Sequence, residues 1–227
     1  MNNVGLLKSK LMIEILAAPF GYLIGSIPFG LIIARLFGVS DIRKDGSGNI
    51  GATNVWRIAG PLPGFIVLLC DVGKGAAAVL LADSFSSGAI SVEYLRLASG
   101  LAAIIGHIFP IFLRFRGGKG VNTALGVMIT LLPIEALIAL LVFVLTVAVS
   151  RYISLGSMLA AVAFALSIVA ERALELSATH PIYVPISILL AVLIIFTHRG
   201  NIRRLLNRTE SRFRFHSEKA RGVQNHV

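Results

Sequence analysis

Six apolar segments, each about as long as a membrane crossing requires, account for most of this sequence. They cover residues 11–37, 61–82, 93–113, 121–150, 153–170 and 181–197. A helix needs about 20 predominantly apolar residues to cross the hydrocarbon core of a bilayer. Only 14% of the 227 residues are charged, against roughly 25% in soluble domains. The pattern excludes a disordered chain, argues against a soluble enzyme and predicts an all-α integral membrane protein.

The fourth apolar segment, residues 121–150, decides how many times the chain crosses the membrane. As one continuous helix it would extend for about 45 Å, which is longer than one crossing needs. Pro133 divides the segment, and a proline inside a helix kinks or ends it. The apolar pattern is therefore compatible with six or with seven spans.

The distribution of basic residues favours seven spans. The sequence from Arg199 onward carries eight Lys or Arg residues, and cytoplasmic loops of membrane proteins collect such residues. With seven spans, the basic residues at 43–57, 114–119 and 151 also lie inside, whereas six spans would place the residues at 114–119 or the basic C-terminal segment outside. We therefore predict a seven-transmembrane-helix bundle with its N-terminus outside and its C-terminus cytoplasmic. Lys8 and Lys10 are a small violation of this arrangement.

The same topology accounts for the net charge of +10 without a nucleic-acid partner. We expect residues 1–210 to form the transmembrane domain and residues 211–227 to form a basic, mobile cytoplasmic tail. The sequence leaves the oligomeric state open.

Four clusters of polar residues adjoin the apolar segments, and the seven-span topology places all of them on the cytoplasmic side. They cover residues 41–57, 106–120, 151–157 and 198–204. Basic side chains and exposed backbone N–H groups together bind phosphate and carboxylate groups. We therefore expect an anionic substrate at this face, and at least one substrate that is a lipid or becomes one.

The first cluster contains the sequence Gly-Ser-Gly-Asn-Ile-Gly-Ala-Thr-Asn at residues 46–54, called here the first glycine-rich loop. Glycines permit tight turns that expose successive N–H groups as an anion-binding nest. The candidate binding side chains are Ser47, Asn49, Asn54 and Arg57, and the Arg57 guanidinium suits a bidentate phosphate contact. A hydrated loop between two helices is the alternative interpretation.

The second cluster ends in Gly-Gly-Lys-Gly at residues 117–120, called here the second glycine-rich loop. We expect a helix to begin near residue 121, and a helix N-terminus beside a lysine attracts anions. The candidate binding residues are Gly117, Gly118, Lys119 and Gly120. The spacing of a Walker nucleotide-binding loop is absent, which weakens an ATPase interpretation. A topology signal alone is the alternative.

The third and fourth clusters contribute Ser154, His198 and Asn201. His198 and Asn201 are three residues apart, so on one helix they would share a face. A histidine beside an amide donor suits a base or an oxyanion partner. From the local sequence alone, Ser154 is better explained as a helix cap, and Arg203 and Arg204 as contacts to anionic lipid headgroups.

Charged residues also occur within the apolar segments. Asp71 and Lys74 are three apart in the second segment, and charges at that depth usually pair inside the bundle. We favour structural pairing over substrate contact for them, and a packed, hydrogen-bonded role for His107. No set of residues has convincing metal-ligand spacing, so we expect neither a metal nor a cofactor.

Taken together, these motifs resemble the bacterial acyl-phosphate-dependent glycerol 3-phosphate acyltransferases. The resemblance extends from residue 25 to residue 210. Its motifs are residues 46–54, Asp71 with Lys74-Gly75, Gly106-His107, residues 117–120, Tyr-Ile-Ser at 152–154 and His-Arg-Gly-Asn at 198–201. One departure is Arg208, because the family usually has Gly two residues before the glutamate that matches Glu210.

The resemblance implies a seven-helix enzyme of the bacterial plasma (inner) membrane with its active site on the cytoplasmic side. Such an enzyme transfers a fatty acyl group from acyl phosphate to the sn-1 hydroxyl of glycerol 3-phosphate. The products are 1-acyl-glycerol 3-phosphate (lysophosphatidate) and phosphate, in phospholipid biosynthesis. It also implies phosphate-binding roles for Ser47, Arg57 and Lys119, and a polar pocket completed by Ser154, His198 and Asn201, with catalytic roles for Lys119, His198 and Asn201.

Two alternatives stay open at this stage. The proton acceptor is either His198 or a phosphate of the substrate, and we favour the phosphate. A membrane transporter of a small phosphorylated metabolite would use the same basic loops and buried charges. However, seven spans give no even inverted repeat, and the polar groups gather at one face and not at the midplane, where transport sites usually lie.

Overall fold

The computed structural model describes residues 3–176 and 179–213, apart from the side chains of residues 3 and 4. Within these ranges all regular secondary structure is helical, as the sequence predicts. The chain divides into two compact units, one ending at Leu131 and one beginning at Leu132. Of the basic tail expected at 211–227, residues 214–227 lie outside the described ranges.

The first unit contains seven α-helices. They are α1 Asn3–Ile15, α2 Ala17–Ser26, α3 Phe29–Leu36, α4 Ala52–Ala59, α5 Pro61–Leu81, α6 Val92–Ile108 and α7 Val121–Leu131. Helix α2 packs against α6, and α5 packs against α4, α6 and α7. Pro61 begins α5, where its missing N–H group costs nothing and its fixed φ favours the first helical turn.

The second unit contains four α-helices, and α9 packs against both α8 and α10. They are α8 Pro133–Ser150, α9 Ile153–Ala173, α10 Tyr183–Thr197 and α11 Arg199–Leu206. Leu137, Leu141 and Leu145 of α8 are all more than half exposed, which fits a face directed at lipid. The break predicted at Pro133 is confirmed, because α7 ends at Leu131 and α8 starts at Pro133.

Among the residues that the structure describes, five stretches are long and apolar enough to cross a bilayer. They are Gly5–Leu36, Pro61–Phe85, Val92–Leu113, Pro133–Ser150 and Ile153–Ala173. A sixth is available if α10 and α11, which meet at 59°, count as one broken span, whereas α7 has only 11 residues. The integral membrane fold is thus confirmed, while the seventh span and the orientation stay predictions.

Four ionisable residues within the apolar stretches are buried. Glu14, Asp71, Lys74 and Glu135 are at most 5% exposed, as expected where charge facing lipid is costly. Glu14 Oε1 accepts hydrogen bonds from the backbone N–H groups of Ser87 and Ala89 at 2.8 and 3.0 Å. The carboxylate therefore anchors the loop between α5 and α6 to α1.

Candidate active site

The amide side chain of Asn54 organises the first glycine-rich loop. Its Oδ1 accepts the Ser47 N–H at 2.9 Å, and its Nδ2 lies 2.9–3.2 Å from the carbonyl oxygens of Ile42, Asp45 and Asn49. Asn54 is 2% exposed. The structure thus places Asn54 as the residue that shapes the loop from within.

The loop keeps its remaining polar groups toward its surface. Ser47 is exposed and Asn49 and Arg57 are half-buried, while Asn49 Oδ1 accepts the Gly51 N–H at 2.7 Å. Gly46 has a φ of +60°, a conformation that L side chains rarely adopt. The last residues of the loop form the start of α4, which begins at Ala52, and Arg57 lies on this helix. This places Arg57 less than two turns from the N–H groups at the start of α4.

Arg43, the other arginine near this loop, has a carboxylate partner. Its guanidinium donates to Asp41 at 2.9 Å from Nε and 2.8 Å from NH2. These hydrogen bonds hold the pKa of the Asp41 carboxyl well below its usual value. In contrast, no ion pair involves Arg57 within the described residues, so its charge remains available to an anion.

The second glycine-rich loop is fixed to the end of α6. Gly117 and Gly118 donate their N–H groups to the carbonyl oxygens of Ile108 and His107 at 3.1 and 3.0 Å. Lys119 is half-buried, and α7 starts at Val121. Because the first turn of a helix leaves N–H groups without partners inside the helix, the start of α7 beside Lys119 has the positive charge and the donors that favour an anion.

In the second unit, the carboxylate of Glu210 brings Ser154 and Asn201 together. Glu210 Oε1 accepts from Ser154 Oγ and from Asn201 Nδ2, both at 2.6 Å, and its Oε2 pairs with Arg204 Nε at 2.6 Å. Burial raises the pKa of Glu210, but these three hydrogen bonds lower it by more, so the pKa of this carboxyl lies below its ordinary value. Glu210 is therefore held as an anion.

Two expectations for this region are wrong. Ser154 does not cap α9, because Tyr152 is the N-cap residue and the Ser154 hydroxyl bonds to Glu210. Arg204, expected to contact lipid headgroups, pairs with the same glutamate. The local sequence gave no signal for the Ser154 contact, since Glu210 is 56 positions from Ser154. Glu210 was singled out in the sequence only through the family resemblance.

His198 lies at the junction between α10 and α11, where the helix axis bends, and not on one continuous helix with Asn201. It is 2% exposed, and its Nδ1 lies 2.8 Å from the Ile194 carbonyl oxygen. Because a carbonyl oxygen only accepts, Nδ1 carries the hydrogen, and the lone pair of the neutral ring lies on Nε2. The junction thus fixes the imidazole in one tautomer.

The predicted site residues therefore form three local groups. The first unit holds Ser47, Asn49, Asn54 and Arg57 around one loop and Gly117 to Gly120 in another. The second unit holds Ser154 and Asn201 on one carboxylate, with His198 one turn before Asn201.

Comparison with known proteins identifies the family. The sequence model of the family described as glycerol-3-phosphate acyltransferase matches residues 15–208. The glycerol-3-phosphate acyltransferase of Myxococcus xanthus is 51% identical over 194 residues, covering 85% of this chain and 96% of its own. That of Geobacter sulfurreducens is 47% identical, covering 88% of this chain and 98% of its own.

A solved structure gives the same result. The fold is similar to the crystal structure of PlsY (YgiH), an integral membrane glycerol 3-phosphate acyltransferase, in its glycerol 3-phosphate form. The TM-score is 0.77 at 40% identity, over 88% of this chain and 96% of that one. The lysophosphatidic acid form gives a TM-score of 0.75 at 39% identity, over 89% and 96%. The chain therefore belongs to the glycerol-3-phosphate acyltransferase family.

Proposed function

We propose that this chain transfers a fatty acyl group from acyl phosphate to the sn-1 hydroxyl of glycerol 3-phosphate. The products are lysophosphatidate and inorganic phosphate. The observation that carries the proposal is the presence of two anion-binding elements in one unit of a family member. These are the first glycine-rich loop with Arg57, and the second with Lys119. Two such elements match two substrates that each bear a phosphate.

The chemistry needs little beyond placement and charge stabilisation. Acyl phosphate is a mixed anhydride, so the glycerol 3-phosphate hydroxyl oxygen attacks the carbonyl carbon and the carbon–oxygen bond to phosphate breaks. Phosphate leaves with the bonding electron pair, and no covalent enzyme intermediate is needed. Holding both substrates close together supplies the proximity term, and cationic groups stabilise charge on the carbonyl oxygen and the leaving phosphate.

We assign binding of the phosphates to Ser47, Asn49, Arg57 and the second glycine-rich loop, with Lys119 also catalytic. Asn54 contributes by shaping the first loop. Ser154, His198 and Asn201 line the polar pocket, and His198 and Asn201 touch the reacting groups. We assign the hydroxyl proton to a substrate phosphate and a hydrogen-bonding role to His198. Because Nδ1 donates to the Ile194 carbonyl, a neutral imidazole meets the substrate through the Nε2 lone pair, so turnover of a His198 variant, and not the tautomer, separates the two assignments.

We further propose seven spans within residues 1–210, with α7 and α8 crossing separately. The N-terminus is then outside, and the active site is on the cytoplasmic face of a bacterial inner membrane. The basic residues of the site loops and of the C-terminal segment support this orientation through the positive-inside rule. The family assignment favours an acyltransferase over the transporter alternative.

A donor comparison tests the proposal. Purified chain is given glycerol 3-phosphate with palmitoyl phosphate, with palmitoyl-CoA or with palmitoyl–acyl carrier protein, and the acylated position of the product is determined. We expect sn-1 lysophosphatidate from the acyl phosphate alone. Equal or faster turnover of a thioester would reject the proposed donor, and an sn-2 product would reject the proposed regiochemistry.

A further inference from the structure

Three ionisable side chains that the mechanism does not use are buried together in the first unit. Lys74 Nζ lies 2.8 Å from Asp71 Oδ1, and His107 Nδ1 lies 3.5 Å from the same oxygen. All three side chains are at most 5% exposed, and among the described residues neither oxygen of the Asp71 carboxylate nor His107 Nδ1 has a hydrogen-bond partner. Apolar side chains of similar volume often stabilise a fold as well as a buried ion pair. Stability alone is thus a weak explanation for the cluster.

Lys74 connects the cluster to the break between α2 and α3. Its Nζ donates to the Ile27 carbonyl oxygen at 2.9 Å and lies 5.7 Å from the centre of the Phe29 ring. Ile27 follows the last residue of α2, and Phe29 begins α3. The ammonium group therefore fixes the point at which α3 starts.

The start of α3 in turn supports the first glycine-rich loop. A Cβ atom added at Gly30 would overlap the carbonyl oxygen of Ile50, so the backbones of α3 and the loop touch directly. Ile50 immediately precedes Gly51, the N-cap residue of α4. A shift in the start of α3 would consequently move the loop and the beginning of α4.

His107 connects the cluster to the second glycine-rich loop. Its carbonyl oxygen accepts the Gly118 N–H at 3.0 Å. A Cβ atom at Gly118 would overlap Nε2 of the His107 ring. The imidazole thus fills the space directly beneath the residue before Lys119. Asp71, on the opposite edge of the ring, is placed to fix its orientation.

We propose that Asp71, Lys74 and His107 form a positioning cluster that holds the two glycine-rich loops at a fixed separation. The cluster acts through backbone contacts at Ile27 and Gly118 and touches no substrate. The inference rests on the proposed function, because that function places the phosphates at these two loops. Loosening the cluster would weaken phosphate binding without removing any binding residue.

The first test replaces the ion pair by apolar residues of similar size. In the Asp71→Leu/Lys74→Met variant no unpaired charge remains, so we expect it to fold and to melt close to the wild-type temperature. Its Kd for glycerol 3-phosphate, measured by calorimetry in detergent, should rise about ten-fold or more, since small displacements of binding groups are costly. A folded double variant with wild-type affinity would overturn the proposal.

A second pair of variants keeps the proposal testable if the double variant does not fold. Asn and Leu at position 107 have the same number of side-chain heavy atoms and the same branching, but only Asn presents a polar N–H group to Asp71. We expect His107→Asn to bind glycerol 3-phosphate within about three-fold of wild type and His107→Leu about ten-fold more weakly. Equal affinities in the two variants would overturn the role of His107, because a purely space-filling role does not distinguish them.

The control is the exposed ion pair between Arg96 and Asp83, which lies in the same unit and far in sequence from both loops. Asp83→Asn/Arg96→Met should leave the affinity unchanged. Binding is read without an acyl donor, so a wild type that binds glycerol 3-phosphate but does not use acyl phosphate rejects only the proposed donor. A wild type that does not bind glycerol 3-phosphate contradicts both proposals.

Discussion

At the residue scale, Arg208 stands at a position where the family usually has glycine and where the backbone conformation is unfavourable for arginine. It has a φ of +58°, a conformation that glycine adopts readily and other L residues adopt at a cost. The Thr209 N–H bonds to the Arg204 carbonyl at 2.8 Å, and the Arg208 N–H bonds to that of Leu205 at 3.1 Å. These are the two hydrogen bonds of a Schellman motif ending α11. The turn therefore forms with arginine in place of the glycine usual in the family.

Replacing Arg208 by glycine should therefore stabilise the chain. Relief of the left-handed strain is worth about 1 kcal/mol, and thermal unfolding in detergent would show it as a higher melting temperature. Asn207→Gly is the matched control, because Asn207 has a φ of −83° and gains nothing from glycine. A melting temperature of Arg208→Gly at or below that of wild type would show that the left-handed backbone at Arg208 is not strained.

His198 separates two assignments of the reaction proton. If a substrate phosphate accepts it, His198→Gln should keep turnover within about ten-fold of wild type at saturating substrates. In other enzymes, the loss of a general base usually lowers turnover by about 100- to 10,000-fold. Steady-state kinetics with both substrates saturating make the measurement. A loss of about 1,000-fold in a variant with wild-type melting behaviour would identify His198 as the base.

At the element scale, the sequence predicted helix breaks that local residues determine. It missed helix breaks that depend on contacts with distant parts of the chain. Pro133 signalled the start of α8 because a proline has no N–H group to donate. Residues 11–37 were expected as one span and fall largely within the candidate span Gly5–Leu36, but the helix of that span is interrupted at Leu16 and again between α2 and α3. The Ile27 carbonyl at the second break is satisfied by Lys74, 47 positions away, a contact that no local pattern reveals.

The segment after α11 is held to the second unit by Glu210, which makes its attachment sensitive to pH. The pKa of Glu210 is lower in the folded chain than its ordinary value of 4.5. The ionised group therefore stabilises the fold above pH 4.5, and this contribution is lost as the pH falls below 4.5 through the lowered pKa. Neutralising the carboxylate should release Arg204 and loosen Ser154 and Asn201.

Glu210→Gln should remove this acid sensitivity. We expect the melting temperature of wild type to fall more steeply below pH 4.5 than that of the variant, with the variant less stable at pH 7. Glu93→Gln serves as the control, since Glu93 is an exposed carboxylate on α6. Parallel pH profiles for wild type and Glu210→Gln would show that the carboxylate contributes no pH-dependent stability.

At the scale of the whole molecule, the charge distribution predicts topology, while helix length leaves the seventh span undecided. Cysteine labelling addresses this directly, because Cys70 is the only cysteine in the sequence. In a Cys70→Ser background, Ile134→Cys and Ser86→Cys should react with an impermeant reagent added outside the inner membrane. Ser40→Cys should react only after the membrane is opened. Protection of Ile134→Cys in intact cells, together with its labelling in opened ones, would place this residue inside and reject seven spans.

The site was predictable to the extent that its chemistry is local. Glycine-rich loops next to basic residues signal anion binding from sequence alone, and the residues at 46–57 and 117–120 were identified in this way. The Glu210 contacts and the links from Lys74 and His107 to the loops depend on the tertiary fold. Sequence spacing therefore predicts candidate phosphate-binding residues, but not which residues hold them in place.

The central claim is acyl transfer from acyl phosphate to glycerol 3-phosphate, and coupled product release tests it most directly. Purified wild-type chain is given palmitoyl phosphate with and without glycerol 3-phosphate, and inorganic phosphate and lysophosphatidate are measured together. The account predicts phosphate release that requires both substrates, with one lysophosphatidate formed for each phosphate released. Phosphate release that does not depend on glycerol 3-phosphate, or that leaves no lysophosphatidate, would contradict it.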